Sequence, residues 1–203
     1  MKKLSVLCFI FLMVGFSLTM DAKPKWISLF NGKDLTGWFV RGKATWTVQD
    51  GVLVGEGGMG HIYTDATATD FELKGDFRIS SDPGAKSNSG MYFRANPPVD
   101  KPDDFPRGYE AQICNNQDAY TGWLWKPGRG VGKATENLSK DGVWFNYHIM
   151  MVGTHIQFWI NDKLVMTYDD TEYKEGHFAI QGHNPKMKIE AKNLYYRPIK
   201  AKK

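Results

Sequence analysis

Two short runs carry more acid–base and hydrogen-bonding chemistry than a plain solvated strand needs. In Asn88-Ser-Gly-Met-Tyr-Phe-Arg94, alternation puts Asn88, Tyr92 and Arg94 on one face, opposite Met91 and Phe93. In Gly108-Tyr-Glu-Ala-Gln-Ile-Cys114, it pairs Glu110 with Gln112, opposite Ala111 and Ile113. A third run, Gly176 to His183, sets Gln181 and His183 against Phe178 and Ile180. If the three polar faces coincide, one concavity holds Arg94, Glu110, Gln112, Gln181 and His183. Donors, acceptors, one carboxylate and one imidazole are what binding a sugar and moving a proton require. Trp123, Trp125 and Trp159 offer flat apolar surfaces for sugar C–H faces.

The same residues have plainer roles. Glu110 and Arg94 suit a cross-strand ion pair on a solvated face, and His183 an edge histidine beside Asn184-Pro185. Trp144 reads as core, Trp26 and Trp38 as packing for the N-terminal segment, and His148 as a structural or surface residue. No two histidines show i, i+4 spacing, and no loop of alternating aspartates is present, so the sequence demands no metal site.

The elements that must position these groups are strands. There is no long amphipathic helix and no internal repeat; short alternating runs separated by turn signals mark an all-β sandwich or barrel. The predicted strands are Trp46–Gln49, Val52–Gly55, His61–Thr64, Phe71–Ile79, Ser89–Arg94, Tyr109–Ile113, Trp144–Val152, His155–Ile160, Lys163–Asp169, Gly176–His183 and Met187–Tyr196. Asp50-Gly51 and Asn161-Asp162 are hairpin signals, and Gly153-Thr154 links two strongly alternating strands. Asn96 to Gly108, with four prolines, and Asn115 to Leu138 read as loops.

The N-terminus has the layout of a secretory signal peptide over residues 1–22: Lys2 and Lys3, an apolar run from Leu4 to Leu18, then charge at Asp21 and Lys23. The run is short of the ~20 residues of a membrane span, which weighs against an uncleaved anchor. The expectation is therefore an exported protein, periplasmic or extracellular, with a single domain over residues 23–203 and no membrane insertion. Cleavage removes Lys2, Lys3 and Asp21, so the net charge falls from +4 to +3. That mild charge, and a basic cluster confined to Lys200, Lys202 and Lys203, argue against a nucleic-acid partner. Only Cys114 remains, so no intrachain disulfide forms and packing alone holds the fold.

The sequence resembles the 3-keto-disaccharide hydrolase domain family. The matching strings include Leu29-Phe-Asn-Gly-Lys-Asp-Leu-Thr-Gly-Trp38, Asn88-Ser-Gly-Met-Tyr-Phe-Arg94, Tyr109-Glu-Ala-Gln-Ile113, Gly142-Val-Trp-Phe-Asn146, Gly176 to His183 and Asn193-Leu-Tyr195. The resemblance implies a concanavalin-like jelly roll of two antiparallel sheets, and exported bacterial proteins acting on oxidised sugars. Glucanases of that general fold carry Glu-x-Asp-x-x-Glu, where this chain has Glu110-x-Gln112-x-x-Asn115. Ordinary glycoside hydrolysis needs two carboxylates, so the expected chemistry differs. A ketone at C3 acidifies the C2 hydrogen; a base removes it, the C1 oxygen leaves by elimination, and water can then add.

On that reading Glu110 is the base, Arg94 and Gln112 steady the enediolate oxygen, His183 protonates the leaving oxygen, and Gln181 fixes sugar hydroxyls. Glu110 and His183 can exchange roles. Asn88, Tyr92, Trp123 and Trp159 complete the expected sugar-binding set. A divalent ion polarising the ketone is compatible with this scheme, but no ligand set calls for one. The rival expectation is a lectin-like binding module without chemistry.

Overall fold

The computed structural model describes residues 25–101 and 104–199. The leader expected at residues 1–22 and the basic tail at Lys200, Lys202 and Lys203 lie outside them. Among the described residues no helix is long and apolar enough to cross a membrane.

Among the described residues, fifteen strands form two antiparallel sheets packed face to face. The first runs β10 (Arg129–Gly132), β9 (Leu124–Lys126), β8 (Arg107–Cys114), β7 (Asn88–Asn96), β14 (Gly176–Gly182), β5 (Gly60–Ala68) and β2 (Trp38–Gly42). The second runs β13 (Lys163–Asp169), β12 (His155–Ile160), β11 (Phe145–Val152), β6 (Phe71–Ser81), β15 (Met187–Pro198), β4 (Val52–Glu56) and β3 (Thr45–Gln49), with β1 (Ile27–Ser28) also on β15.

Alternation decides which residues fill the space between the sheets. Phe71, Leu73, Phe77 and Ile79 from β6 meet Met91 and Phe93 from β7, Ala111 and Ile113 from β8, Ile156, Phe158 and Ile160 from β12, and Phe178 and Ile180 from β14; all are fully buried. The aromatics interlock edge to face, as Phe71 does with Phe178 at 4.8 Å and 87°. The hairpin turns obey backbone sterics. Asp50 and Gly51, and likewise Asn161 and Asp162, all take positive φ, as a two-residue turn matching strand twist requires.

Three features depart from the sequence reading. The Asn115–Leu138 loop contains the β9–β10 hairpin, closed by Pro127 and by Gly128 at φ 77°. Its strands, three and four residues long, are too short to show alternation. The edge strand β2 had no clear period either. Trp144 precedes β11 and is half-buried outside the sandwich, between Arg78 and Lys192, which lie 4.8 Å and 4.3 Å from its ring centre.

Candidate functional site

Register aligns the outward residues of the first sheet into rows. Phe39 on β2 pairs with Tyr63 on β5, Tyr63 with Ala179 on β14, Ala179 with Tyr92 on β7, Tyr92 with Glu110 on β8, and Glu110 with Trp125 on β9. The neighbouring row holds His61 opposite Gln181, and Gly90 opposite Gln112. At one end of these rows the sheet opens into a cleft of about 150 Å³, lined by Asn88, Tyr92, Phe105, Glu110, Gln112, Trp125, Lys126, Pro127, Gly128, Gln181 and His183. Sites that engulf a drug-sized ligand run to ~300–1,000 Å³, so this one suits a single ring with the rest of a glycoside outside.

Among the described residues, Glu110 is the only carboxylate in that lining. Gly90 makes room for it: a Cβ there would stand 2.3 Å from Glu110 Oε1 and 2.5 Å from its Cγ. Burial pushes the acid up from 4.5 to about 8, although a hydrogen bond with Tyr92 opposes the rise. The one cation in the lining is already committed: Lys126 Nζ binds Asp170 Oδ2 at 2.6 Å and Glu172 Oε2 at 2.7 Å. Those bonds, with Tyr109 donating to Asp170 at 2.6 Å, tie the hairpin carrying Trp125 to the residues after β13.

Around Glu110 the polar groups are partly committed. Gln181 Nε2 donates to Tyr92 Oη at 3.0 Å and faces His61 Nε2 at 3.4 Å, leaving Gln181 Oε1 buried without a partner. Gln112 Nε2 donates to Asn88 Oδ1 at 3.0 Å and to the Ala119 carbonyl at 3.2 Å. Its donors are spent, so it offers the cleft only an acceptor, contrary to the enediolate-stabilising role expected for it. His183 is half-buried, tilted against Phe105 at 6.1 Å, with Nδ1 unpartnered. Burial lowers its basicity below the usual 6.5, so it is neutral at pH 7.

Of the nine expected site residues, Asn88, Tyr92, Glu110, Gln112, Gln181 and His183 share this cleft; Arg94, Trp123 and Trp159 do not. Arg94 sits in a β-bulge, at φ 46°, where the β7–β8 register slips between Phe93 and Asn96. Gly108 and Gly176 pack so closely against it that a Cβ on either would meet backbone within 3.0 Å. The bulge sends the side chain to the far rim, where it binds the carbonyls of Thr69, Gly153 and Tyr173 and Asp70 Oδ1 at 2.7–3.1 Å. There is therefore no Glu110–Arg94 ion pair. Trp123 neighbours Trp125 over Gly130 but turns to Tyr120, with Lys133 above its ring. Trp159 belongs to the second sheet, stacked on His148 at 4.6 Å.

Sequence reasoning did not single out Phe105, Lys126, Pro127 and Gly128 of the lining, nor His61 behind it. Pro127-Gly128 was a readable turn signal that would have revealed the hairpin. His61 gave no signal, since its polar role depends on a strand more than a hundred residues away.

The arrangement can enclose one sugar ring, present acceptors at Gln181 and Gln112, and exchange protons at Glu110 and His183. Among the described residues, Asn88 Nδ2 makes no hydrogen bond and Trp125 Nε1 is buried without a partner, so donor atoms remain at both. Among the described residues no group of three or more His, Cys, Asp or Glu is placed to hold a metal ion.

Residues 25–202 match the family model described as the 3-keto-alpha-glucoside-1,2-lyase-like domain. No curated protein matches the chain. Among solved structures, a protein of Parabacteroides distasonis provisionally designated a glycosyl hydrolase aligns with TM-score 0.69 and 21% identity, over 86% of this chain and 94% of that one. A Bacillus subtilis protein of unknown function with a galectin-like fold aligns with TM-score 0.66 and 14% identity, over 85% and 94%. A carbohydrate binding module from Bacillus subtilis aligns with TM-score 0.64 and 17% identity, over 79% and 95%. At these identities the likeness concerns the fold, a jelly-roll sandwich of the galectin and concanavalin kind.

Proposed function

The chain belongs to the 3-keto-alpha-glucoside-1,2-lyase-like domain family, and from that premise we propose that it cleaves the glycosidic bond of 3-keto-glycosides by elimination. The observation that carries this reading is a buried carboxylate, poised near pH 8, in a cleft where the described lining residues include no second acid. Hydrolysis by acid plus nucleophile or base needs two carboxylates. Elimination beside a ketone needs only one proton acceptor and one proton donor.

The resting protonation states assign those roles. At neutral pH Glu110 holds a proton and His183 does not. His183 takes the C2 proton, and the electrons of that C–H bond delocalise onto the C3 oxygen. Asn88 Nδ2 and Trp125 Nε1–H are the uncommitted donors that can face that oxygen. The C1–O bond then breaks as C1=C2 forms, and Glu110 gives its proton to the departing oxygen. The products are a 1,2-unsaturated 3-keto sugar and an alcohol; water adds to the former in a later step. This reverses the assignment first expected from the sequence, and Arg94 drops out.

The test is incubation of the purified protein with 3-keto and unoxidised glucosides, following enone absorbance and released alcohol. Wild type should consume only the keto substrate, with kcat/KM falling as pH rises through about 8, where Glu110 loses its proton. Glu110→Gln and His183→Asn should each lose ~10²–10⁴-fold. A rate that rises through pH 8 would give Glu110 the base role instead, and undiminished turnover by Glu110→Gln would remove it from the mechanism. The aromatic row and the likeness to a carbohydrate binding module support one rival, binding alone; a keto sugar that binds and survives incubation would establish it. We also propose export to the periplasm or beyond, on the apolar run from Leu4 to Leu18; an unprocessed N-terminus on cytoplasmic protein would overturn that.

A further inference from the structure

His61 does not line the cleft, yet it is fully buried directly behind it, edge-on to Tyr92 with ring centres 5.2 Å apart at 90°. Burial, reinforced by nearby His183, pushes its pKa down to about 3, so the ring is neutral. A neutral imidazole has one donor and one acceptor nitrogen. The Gln181 amide nitrogen, which only donates, faces His61 Nε2 at 3.4 Å and Tyr92 Oη at 3.0 Å. His61 Nε2 must then be the acceptor, and its proton resides on Nδ1, which is buried and unpartnered.

The consequences run along the chain of bonds. Tyr92, accepting from Gln181, has its own hydrogen free to donate to Glu110, its cross-strand neighbour. That donation occupies one carboxyl oxygen and leaves the acid proton on the other. Gln181 Oε1 is left without a partner, as an acceptor for a sugar hydroxyl. The opposite amide orientation would present the oxygen to both His61 and Tyr92. Both would then have to donate to it, and Tyr92 would withdraw its hydrogen from Glu110.

We propose that His61 is a positioning residue: its acceptor nitrogen fixes the Gln181 amide, which aims the Tyr92 hydroxyl at Glu110 and turns Gln181 Oε1 toward a hydroxyl of the bound sugar. The catalytic consequence rests on the lyase reading above; the hydrogen-bond order does not. The other titratable groups around this chain are Tyr63 beside His61, His183 near it, and Tyr147 near Glu110.

Two measurements on the sugar-free protein test the order directly. Imidazole ¹⁵N shifts should show His61 as the Nδ1–H tautomer across pH 5–9; an Nε2–H tautomer overturns the proposal. Carboxyl ¹³C titration, with Glu110→Gln identifying the resonance, should show the Glu110 midpoint rising by about one pH unit in His61→Phe, the scale of weakening a hydrogen bond to a charged group. His61→Gln, which returns an acceptor near the Nε2 position, should restore it. Tyr92→Phe should produce a similar rise and make the His61 substitution silent; additive shifts in the double variant would also overturn the proposal. In turnover of a 3-keto-glucoside, His61→Phe should lose about tenfold in kcat and raise KM, with partial rescue by His61→Gln. If wild type turns over no such substrate, the functional reading fails while the two spectroscopic results still decide the role of His61.

Discussion

Replacing Glu110 with glutamine should stabilise the protein while disabling it, and the gain should grow with pH. Glu110 is 8% exposed, and burial carries its pKa from 4.5 to about 8. Below pH 4.5 the group is protonated in both the folded and the unfolded chain, and its titration costs folding nothing. Above that value the unfolded chain releases the proton and the folded one keeps it, so stability falls as pH rises, until the folded group ionises near pH 8. At ~1.4 kcal/mol per pH unit, the cost is about 3 kcal/mol at pH 7 and approaches ~5 kcal/mol above pH 8. Glutamine has no such proton to retain, and its amide oxygen can still accept from Tyr92. With ~2–4 °C per kcal/mol for a domain of this size, Glu110→Gln should melt roughly 6–12 °C above wild type at pH 7. The two should converge toward pH 4.5. Calorimetric melts from pH 4.5 to 9 read this directly, and a melting gap that stays constant across that range would refute the desolvated carboxylate and everything built on it.

Other substitutions separate site from scaffold. Arg94→Ala strands Asp70 and three carbonyls at the rim and should cost about 3–5 kcal/mol in denaturant melts, the range for breaking a buried pair. Sugar affinity of the remaining folded protein should be unchanged. Gly90→Ala puts a methyl group 2.3 Å from Glu110 Oε1; it should cost about 1–3 kcal/mol of stability and lose activity as Glu110→Gln does. Trp125→Ala should weaken sugar binding about tenfold in calorimetric titration, as loss of a central aromatic contact does. Trp159→Ala, on the opposite sheet, should leave binding unaltered.

What could be read from the sequence was whatever depends on alternation within one strand. The inward faces of β6, β7, β8, β12 and β14 followed from period-2 spacing, because a half-buried strand leaves that imprint in its residues. So did the pairing of Glu110 with Gln112 and of Gln181 with His183. The short β9–β10 hairpin left no such imprint, and the lining it supplies was missed with it. Trp159 alternates as clearly as Trp125 faces the cleft, but alternation says nothing about which sheet a strand joins. The role of His61 depends on Gln181, 120 residues away, and exists only once β5 and β14 pair.

The bulge at Arg94 governs the chemistry as well as the geometry. Without it, alternation would place Arg94 on the same face as Tyr92, across from Gly108 and within reach of Glu110. A guanidinium there would hold the acid ionised, since an opposite charge at such range lowers a carboxyl pKa by ~1–3 units. The slip of one position puts Ala95 on that face instead, packed with Tyr63, Tyr92 and Ala179, and sends the cation to Asp70. Lys126 is likewise neutralised by Asp170 and Glu172. Both cations that could compensate Glu110 are thus bound elsewhere. The carboxyl is left to the low dielectric of an aromatic row, able to keep its proton at neutral pH and to surrender it to a leaving oxygen.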